Sequence, residues 1–181
     1  MTSIKVQRDV VLLPLQAVSG VVERRHTLPI LSNVLLELQD GQLSLTATDL
    51  EIQVVSRTQA DGTGVQEATT VSARKLQDIL RALPDGASLQ LDVQDKRIQL
   101  KAGKSKFSLQ ALPAADFPKI AAGDTVAAQI ELSQKELKRL LGRVHYSMAQ
   151  QDIRYYLNGL LLSVSAADLT VVATDGHRLA L

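Results

Sequence analysis

The feature that most constrains the fold is an internal repeat. Residues 33–36 (Asn-Val-Leu-Leu) and 45–49 (Leu-Thr-Ala-Thr-Asp) are echoed about 125 residues later by residues 158–161 (Asn-Gly-Leu-Leu) and 171–175 (Val-Val-Ala-Thr-Asp). Chance does not readily give two matched segments at one spacing with the same Ala-Thr-Asp ending. The chain is therefore predicted to use one supersecondary unit more than once.

Capping and turn signals predict that this unit is β-α-β-β-β, present twice in the first part of the chain. The first copy is predicted as a strand at 4–7, a helix from its cap Asp9 to Ser19 and ended by Gly20, and strands at 30–38, 42–48 and 51–57. A turn at Asp40-Gly41 is predicted between the first two of these three strands, and a loop around Gly62 and Gly64 follows the last. The second copy is predicted as a strand at 68–71, a helix from its cap Ser72 to Leu83, a turn at residues 84–86, and strands at 88–93, 97–102 and 105–110.

A third copy is predicted beyond a linker at residues 112–118, where Pro113 and Pro118 cannot continue a helix or a central strand. It comprises a strand at 129–132, a helix from its cap Ser133 to Met148, strands at 157–164 and 169–174, and the start of another strand at the end of the chain. We expect an α+β fold with helices on one face of antiparallel sheets. The predicted domains are residues 1–120, complete with two units, and residues 121–181, the first half of a second domain.

Composition narrows the functional classes. With 3% aromatic residues the core must be aliphatic, and the absence of cysteine excludes disulfides and thiolate chemistry. No apolar run is long enough for a signal peptide or a membrane span, so a cytoplasmic protein without membrane contact is expected. The net charge of +1 means that any attraction to nucleic acid must come from a local arrangement of cations.

The helix that starts at Ser133 carries such an arrangement. At about 100° per residue its apolar residues fall on one arc: Leu137, Leu140, Leu141, Val144 and Met148. Its cations fall on the opposite arc: Lys135, Lys138, Arg139 and Arg143. The helix from Ser72 has a weaker version, with Arg74 and Arg81 opposite its leucines. The pattern is typical of an ordinary solvated helix face, and it also suits phosphate contact without base reading.

Two loops occupy corresponding places in the repeat. Residues 24–26 (Arg-Arg-His) follow the first helix, and residues 150–156 follow the third, ending in Tyr155 and Tyr156. Exposed phenols could stack on a base or bond a phosphate. The alternative is that one ring lies in the core and the other at the surface.

Residues 174–179 (Thr-Asp-Gly-His-Arg-Leu) could be a hydrolytic site in which Asp175 orients His177 as a base. A turn that uses the backbone freedom of Gly176 and a local hydrogen bond from Asp175 is preferred, because no nucleophile or metal motif accompanies the pair. Residues 62–64 (Gly-Thr-Gly) also lack the third glycine and the lysine of a phosphate loop.

Several stretches of the sequence resemble one family, the β subunit of bacterial DNA polymerase III, which is the sliding clamp. They span the whole chain in the family's order: residues 27–31, 43–51, 107–109, 112–118, 147–149, 154–159 and 173–179. The resemblance implies a non-catalytic processivity factor of three domains without metal or cofactor. Two subunits would form a homodimeric ring on duplex DNA and dock the polymerase III catalytic subunit, the clamp loader and repair proteins.

The resemblance also assigns sites. The family's DNA-contacting loops match Arg25, Gln151, Tyr155 and Tyr156, and the cations of the Ser133 helix are added from its polar face. The family's groove for partner peptides matches Leu157, Thr174, Gly176, His177, Arg178 and Leu179. Its ring interface matches Phe107 and Leu109, with Lys75, Lys104 and Lys106 around them.

The family chain is about twice this long, so half of domain two and all of domain three are expected to be missing. An alternative function is therefore a fragment that binds partner peptides without enclosing DNA. A half-domain should also leave Leu137, Leu141 and Val144 partly uncovered and its sheet edge unpaired. A homodimer joined through residues 129–181 would supply a second half.

Overall fold

The structure is a computed structural model that describes residues 2–22, 28–63, 68–94, 96–120, 129–165 and 168–181. The chain divides into two compact units, Met1–Ala122 (unit one) and Gly123–Leu181 (unit two), and each is described by itself. Among the described residues, no helix has the length and apolar character that crossing a bilayer requires.

Unit one contains the two predicted β-α-β-β-β repeats. The elements of the first are β1 (Thr2–Gln7), α1 (Arg8–Val18), β2 (Asn33–Gln39), β3 (Gln42–Thr48), β4 (Gln53–Gln59) and the short β5 (Asp61–Thr63). Those of the second are β6 (Thr69–Ser72), α2 (Ala73–Ala82), β7 (Ser88–Gln94), β8 (Arg97–Ala102) and β9 (Ser105–Pro113). The predicted fold class and repeat order are confirmed.

The two repeats exchange their first strands. All pairs are antiparallel, and β2-β3-β4 and β7-β8-β9 form two meanders. Strand β1 of the first repeat pairs with β7 of the second, while β6 of the second pairs with β2 of the first. Each repeat therefore completes the other repeat's sheet.

The last strand of each repeat bends and joins the two sheets. Strand β4 pairs with β3, and after Ala60 the chain continues as β5, which pairs with β1 instead. Strand β9 likewise leaves β8 and ends by pairing with β6. At the bends, the amide of Ala60 donates to the carbonyl of Gly41 at 2.9 Å, and that of Ala111 donates to Lys96 at 3.0 Å. Nine strands thus form one sheet, in the order β4-β3-β2-β6-β9-β8-β7-β1-β5. The strands at its two ends, β4 and β5, follow each other in the chain and are separated by Ala60.

The main core of unit one lies under its two helices. Helix α2 buries Leu76 and Leu80 at helical spacing, and α1 buries Val11 and Leu15. They pack with inward-facing residues of the strands into one aliphatic cluster. A smaller cluster joins Ile30, Leu31, Leu35 and Phe117.

The predicted N-terminal cap is correct for α2 and wrong for α1. The side chain of Ser72 accepts a hydrogen bond from the amide of Lys75, so the predicted cap of α2 is confirmed. The predicted cap Asp9 is wrong, because α1 begins at Arg8 and Asp9 lies in its first turn. The Asp9 carboxylate instead accepts from the amide of Gly86 at 2.7 Å, and Arg8 donates to the carbonyl of Leu80 at 2.8 Å. These contacts tie the start of α1 to the end of α2.

Turns predicted from glycine are confirmed where the backbone needs positive φ. Asp40 (φ 50°) and Gly41 (φ 74°) form the two-residue turn between β2 and β3. Gly86 (φ 68°) lies in the turn after α2. The predicted loop at Gly62 is wrong, because Gly62 lies in β5 opposite Ile4, where an added Cβ would collide with Leu38. Gly64 lies outside the described residues.

Several other boundaries in unit one differ from the prediction. Residues Pro29–Ser32 form a 3-10 helix, so β2 begins at Asn33. Strand β4 runs to Gln59, two residues beyond the prediction. The predicted linker is wrong at its start, because Pro113 ends β9 opposite Thr69 and Phe117 is buried in the smaller core cluster. Proline is tolerated in β9 because it is the terminal residue of the strand.

Unit two contains one repeat. Its elements are α3 (Gln134–Val144), β10 (Leu161–Val164), β11 (Leu169–Thr174) and β12 (Leu179–Ala180). The strands form a three-stranded antiparallel sheet in the order β10-β11-β12. Its core is a small cluster of Val144, Val171, Ala173 and Ala180. Because Val144 is buried, the expectation that it lacks cover is wrong.

One predicted element of unit two is wrong, and two others are present with different bounds. Residues 129–132 form no strand, and in unit one the matching strand β1 pairs with the second repeat, of which unit two has no copy. The helix ends at Val144 and continues as the 3-10 turn His145–Ser147. The strand predicted from residue 157 begins at Leu161, after the 3-10 turn Tyr155–Asn158.

Candidate functional site

The predicted cationic face lies on the exposed side of α3. The hydroxyl of Ser133 caps the helix by accepting from the amide of Glu136 at 3.1 Å. The four cations are all exposed, as the predicted face requires: Lys135, Lys138, Arg139 and Arg143. Arg139 pairs with Glu136 at 2.6 Å. Among the described residues the other three cations have no ion-pair partner, so they are free to meet an external anion.

The corresponding face of α2 is weaker, as its sequence predicts. Arg74 lies 3.9 Å from Asp78, four residues along the helix, and both are exposed. Arg81 is also exposed. The Asp78 carboxylate reduces the positive potential of this face, so α3 is the stronger cationic surface.

The two adjacent tyrosines are both at the surface. Tyr155 is 83% exposed and Tyr156 is 67% exposed, so the alternative that placed one ring in the core is wrong. Their ring centroids are 6.0 Å apart and the rings are nearly perpendicular. Gln151 is exposed on the same turn with a φ of 58°. Arg25, the remaining predicted DNA-contacting residue, lies outside the described residues.

A network of short-range bonds fixes the turn that carries these tyrosines. Asp152 accepts from the amide and guanidinium of Arg154 at 2.8–3.0 Å. The side-chain amide of Asn158 accepts from the backbone N–H of Asp152 through Oδ1 and donates to the backbone carbonyl of Asp152 through Nδ2. The hydrogen bonds from Arg154 hold the pKa of Asp152 at about 2. The conformation of this turn is thus held by hydrogen bonds among its own residues.

The 174–178 turn is held in the same way. Thr174 Oγ1 accepts from the amide of Gly176 at 3.1 Å and donates to the carbonyl of Arg178 at 2.7 Å. Asp175 accepts from the amides of His177 and Arg178, and these bonds lower its pKa. Gly176 has a φ of 88°. The preferred turn interpretation is confirmed.

The hydrolytic alternative finds no support in this geometry. One oxygen of Asp175 accepts from the backbone amides and the other pairs with the guanidinium of Arg178 at 3.0 Å. The carboxylate therefore bonds the backbone of His177, whereas a base-orienting role requires a bond to its ring. Among the described residues, no three His, Asp or Glu side chains are grouped to hold a metal ion.

Arg154 connects the two turns. Its guanidinium lies 3.3 Å from the position that a Cβ on Gly176 would occupy. Arg178 extends over the ring of Tyr146, 5.9 Å from its centroid. Between the turns is an open cleft of about 680 Å³, lined by His145, Tyr146, Arg154, Asp175, His177 and Arg178 among others.

The cleft overlaps only part of the predicted peptide groove. His177 and Arg178 line it, whereas Leu157, Thr174, Gly176 and Leu179 are outside its lining. Leu157 is half-buried and its carbonyl accepts from the amide of Ala149 at 3.0 Å. Leu179 is exposed on β12. The sequence analysis did not assign Arg154 or Tyr146 to a site. For Arg154, the Asp-x-Arg spacing of residues 152–154 was a usable signal of the ion pair, and no comparable signal marked Tyr146.

The predicted ring-interface residues differ in exposure. Lys75, Lys104 and Lys106 are exposed, and Phe107 is half-buried against the main core. Leu109 is 5% exposed because it lies on the inner face of β9 and packs in the core. The prediction that the Leu109 side chain contacts a partner therefore disagrees with its burial.

Two β-α-β-β-β repeats that exchange their first strands define the clamp fold in unit one. Solved structures agree: the Pseudomonas aeruginosa DNA polymerase III subunit beta has a TM-score of 0.92 and 47% identity, covering 99% of this chain and 49% of that one. Caulobacter crescentus pol III beta has a TM-score of 0.88 and 39% identity, covering 98% and 48%.

Sequence comparisons identify the family. Residues 2–121 match the DNA polymerase III beta subunit N-terminal domain, and residues 131–181 match its central domain. The beta sliding clamp of Pseudomonas putida is 52% identical and that of Escherichia coli K12 is 49% identical, each across 97% of this chain and 48% of the relative. The chain belongs to the DNA polymerase III β subunit family. It spans about half the length of the curated relatives that it matches.

Proposed function

We propose that this protein serves as a sliding clamp, a non-catalytic subunit that encircles duplex DNA in the cytoplasm and tethers replication and repair proteins to it. The observation that carries this proposal is the 52% identity to a beta sliding clamp across 97% of the chain. In the complete protein the ring would be a homodimer. Its partners would be the polymerase III catalytic subunit, the clamp loader and repair proteins.

The cationic face of α3 supports the DNA part of the proposal. Lys135, Lys138 and Arg143 project from one helix face without ion pairs among the described residues. They match the requirements of phosphate contact, which needs cations but no base-reading geometry. Tyr155, Tyr156, Gln151 and Arg25 are proposed to add loop contacts. A chain with net charge +1 would hold DNA weakly and so remain able to slide along it.

The test compares two double variants that each remove one lysine and one arginine. Lys138→Ala with Arg143→Ala should weaken binding to duplex DNA, and the slope of log affinity against log salt should fall by about 2. Lys96→Ala with Arg97→Ala removes the same charge from an exposed site in unit one and should have little effect. Fluorescence anisotropy on two unrelated duplex sequences measures both. A loss confined to one sequence, or an equal loss in the control, would contradict the phosphate-contact role.

The second candidate function is peptide docking at unit two, favoured by the preset 174–178 turn beside exposed Leu179. The proposed groove residues are Leu157, Thr174, Gly176, His177, Arg178 and Leu179. Overlapping peptides of the polymerase III catalytic subunit, titrated and followed by NMR, should shift the signals of Leu157, Thr174 and Leu179 together. Ester hydrolysis that is lost in His177→Ala would instead support the enzyme alternative.

The ring interface is proposed to involve Phe107, with Lys75, Lys104 and Lys106 around it. The buried side chain of Leu109 would contribute indirectly, by holding β9, which carries Phe107, against the core. Phe107→Ala should weaken ring formation more than Lys104→Ala, since an interface anchor is usually a large apolar side chain.

A further inference from the structure

Arg178, which belongs to the proposed peptide groove, is bonded through one guanidinium nitrogen. Its Nε donates to a carboxylate oxygen of Asp175 at 3.0 Å. Among the described residues, neither of its terminal nitrogens has a hydrogen-bond partner. Arg154, the other arginine of the cleft, donates to Asp152 from Nε at 3.0 Å and from one terminal nitrogen at 2.8 Å. Arg178 therefore keeps both terminal nitrogens available to donate to carbonyl or carboxylate oxygens of a bound peptide.

The ring of Tyr146 lies under the guanidinium of Arg178. The central guanidinium carbon is over the ring, 5.9 Å from its centroid. A guanidinium at this distance is attracted to the electron-rich face of the ring. Asp175 thus holds one edge of the guanidinium, and Tyr146 covers one of its faces. The two contacts leave the terminal nitrogens free while they restrict the directions in which those nitrogens can point.

The backbone of Tyr146 is fixed by the turn that follows α3. Val144 is 2% exposed and Ser147 is fully buried, so the turn between them is anchored on both sides. The amide of Met148 closes this turn by donating to the carbonyl of His145 at 3.1 Å. Tyr146 itself is 56% exposed and lines the cleft. Within the part of the chain that the structure describes, its hydroxyl has no hydrogen-bond partner, so what Tyr146 presents to the cleft is the face of its ring.

We propose that Tyr146 is a positioning residue of the peptide site, and that its ring holds Arg178 in the orientation that binds oxygen atoms of a partner peptide. This role rests on the proposed docking of peptides at unit two, and it adds a residue that the proposed groove does not include. Tyr146 acts through Arg178 and does not bind the peptide itself. Without the ring, a bound peptide would have to immobilise a freely rotating arginine side chain, and that ordering opposes binding.

This role requires an aromatic face and does not require the hydroxyl. Tyr146→Phe keeps the face that attracts the guanidinium, whereas Tyr146→Leu keeps an apolar side chain but removes the face. The two variants are therefore a matched pair in which only the second loses the contact with Arg178. A role of the hydroxyl would instead be lost in both variants.

The first measurement is made by NMR on the chain without peptide. Protons that lie over an aromatic face resonate upfield of their usual positions, so the side-chain signals of Arg178 report the contact directly. Tyr146→Phe should keep this upfield shift, and Tyr146→Leu should abolish it. Unchanged amide signals of Val171 and Ala180, which lie in the core of unit two, would show that both variants still fold. Arg178 signals that are the same with and without the ring would overturn the proposal.

The second measurement is the affinity for overlapping peptides of the polymerase III catalytic subunit. Tyr146→Leu should weaken binding about two- to fivefold, as expected for loss of a cation–π contact at an exposed site, and Tyr146→Phe should bind like the unmodified chain. In an Arg178→Ala background, Tyr146→Leu should cause no further loss, because the residue through which it acts is gone.

The outcomes separate this role from peptide docking itself. If peptides bind the unmodified chain and Tyr146→Leu equally well, docking stands and the role of Tyr146 is overturned. An additional loss from Tyr146→Leu in the Arg178→Ala background would also overturn it, since Tyr146 would then act independently of Arg178. If no peptide binds the unmodified chain, the proposed docking fails, and the role of Tyr146 fails with it.

Discussion

Helices α2 and α3 have the same local design but different surroundings. Each is capped by a serine whose hydroxyl accepts from the amide three residues later. Counted from that serine, Leu76 of α2 corresponds to Leu137 of α3. Leu76 is fully buried, whereas Leu137 is 38% exposed. Capping and periodicity therefore set where a helix forms, and the second repeat decides how far its apolar face is buried.

The difference predicts unequal stability for the two units. In unit one the apolar side chains of both repeats share a single core of more than twenty buried residues. In unit two the buried cluster comprises Val144, Val171, Ala173 and Ala180. Because each buried aliphatic side chain contributes roughly 1.5–3 kcal/mol, unit two should unfold first. Its three tyrosines, at positions 146, 155 and 156, make fluorescence a probe of unit two alone.

The largest effect is expected from truncating equivalent leucines. Leu80→Ala removes a fully buried side chain and should lower the free energy of unfolding of unit one by about 2–5 kcal/mol. Leu141→Ala, at the matching position of half-buried α3, should cost unit two less than about 1.5 kcal/mol. Urea titrations followed by circular dichroism and by tyrosine fluorescence separate the two. Equal losses would mean that Leu141 is as well packed as Leu80.

An intermediate effect is expected from removing the two caps. Ser72→Ala and Ser133→Ala should each cost about 1 kcal/mol, because each leaves one helical amide without its acceptor. Similar losses in the two units would show that the local design is equivalent and that only packing differs. Replacement of either serine by threonine should restore most of the loss. A Ser133→Ala variant with unchanged stability would show that α3 does not depend on its cap.

The smallest effect concerns the pH response of the 152–158 turn. The lowered pKa of Asp152 means that its ion pair with Arg154 stabilises the turn above the ordinary pKa of 3.8, and that this contribution is lost as pH falls through about 2. Arg154→Ala should move the carboxyl titration of Asp152 toward its ordinary value, as measured by carbon-13 NMR. The signal of Gly176 should shift in the same variant, because Arg154 packs against it. A titration midpoint that stays near 2 would assign the lowered pKa to another cause.

Local features of this fold could be predicted from the sequence because their causes lie within a few residues. The Asp40-Gly41 turn, the Ser72 and Ser133 caps, and the cationic face of α3 depend on neighbouring side chains and backbone conformation. The repeat order followed from the same signals. Asp9 shows the limit, because its contact with Gly86 drew its carboxylate away from the capping position.

Pairings between distant segments could not be predicted in this way. The exchange of β1 and β6 depends on which sheet edge is free, and no local signal reports that. Residues 129–132 have the apolar alternation of a strand but form none, since strand formation requires a partner. At the candidate site, the contact of Arg154 with Gly176 joins two turns 22 residues apart, so only the separate turns were foreseeable.

The exchange of first strands also has a consequence for the order in which the molecule forms during synthesis. The hydroxyl of Ser3 bonds the carboxylate of Asp92, 89 residues later, so β1 can pair with the short β5 but lacks its longer mate β7 until most of unit one has left the ribosome. Neither repeat is a finished folding unit, and contacts of such long sequence separation slow folding. The nascent amino-terminal strand is therefore a stretch that a chaperone would have reason to shield until its mate is translated.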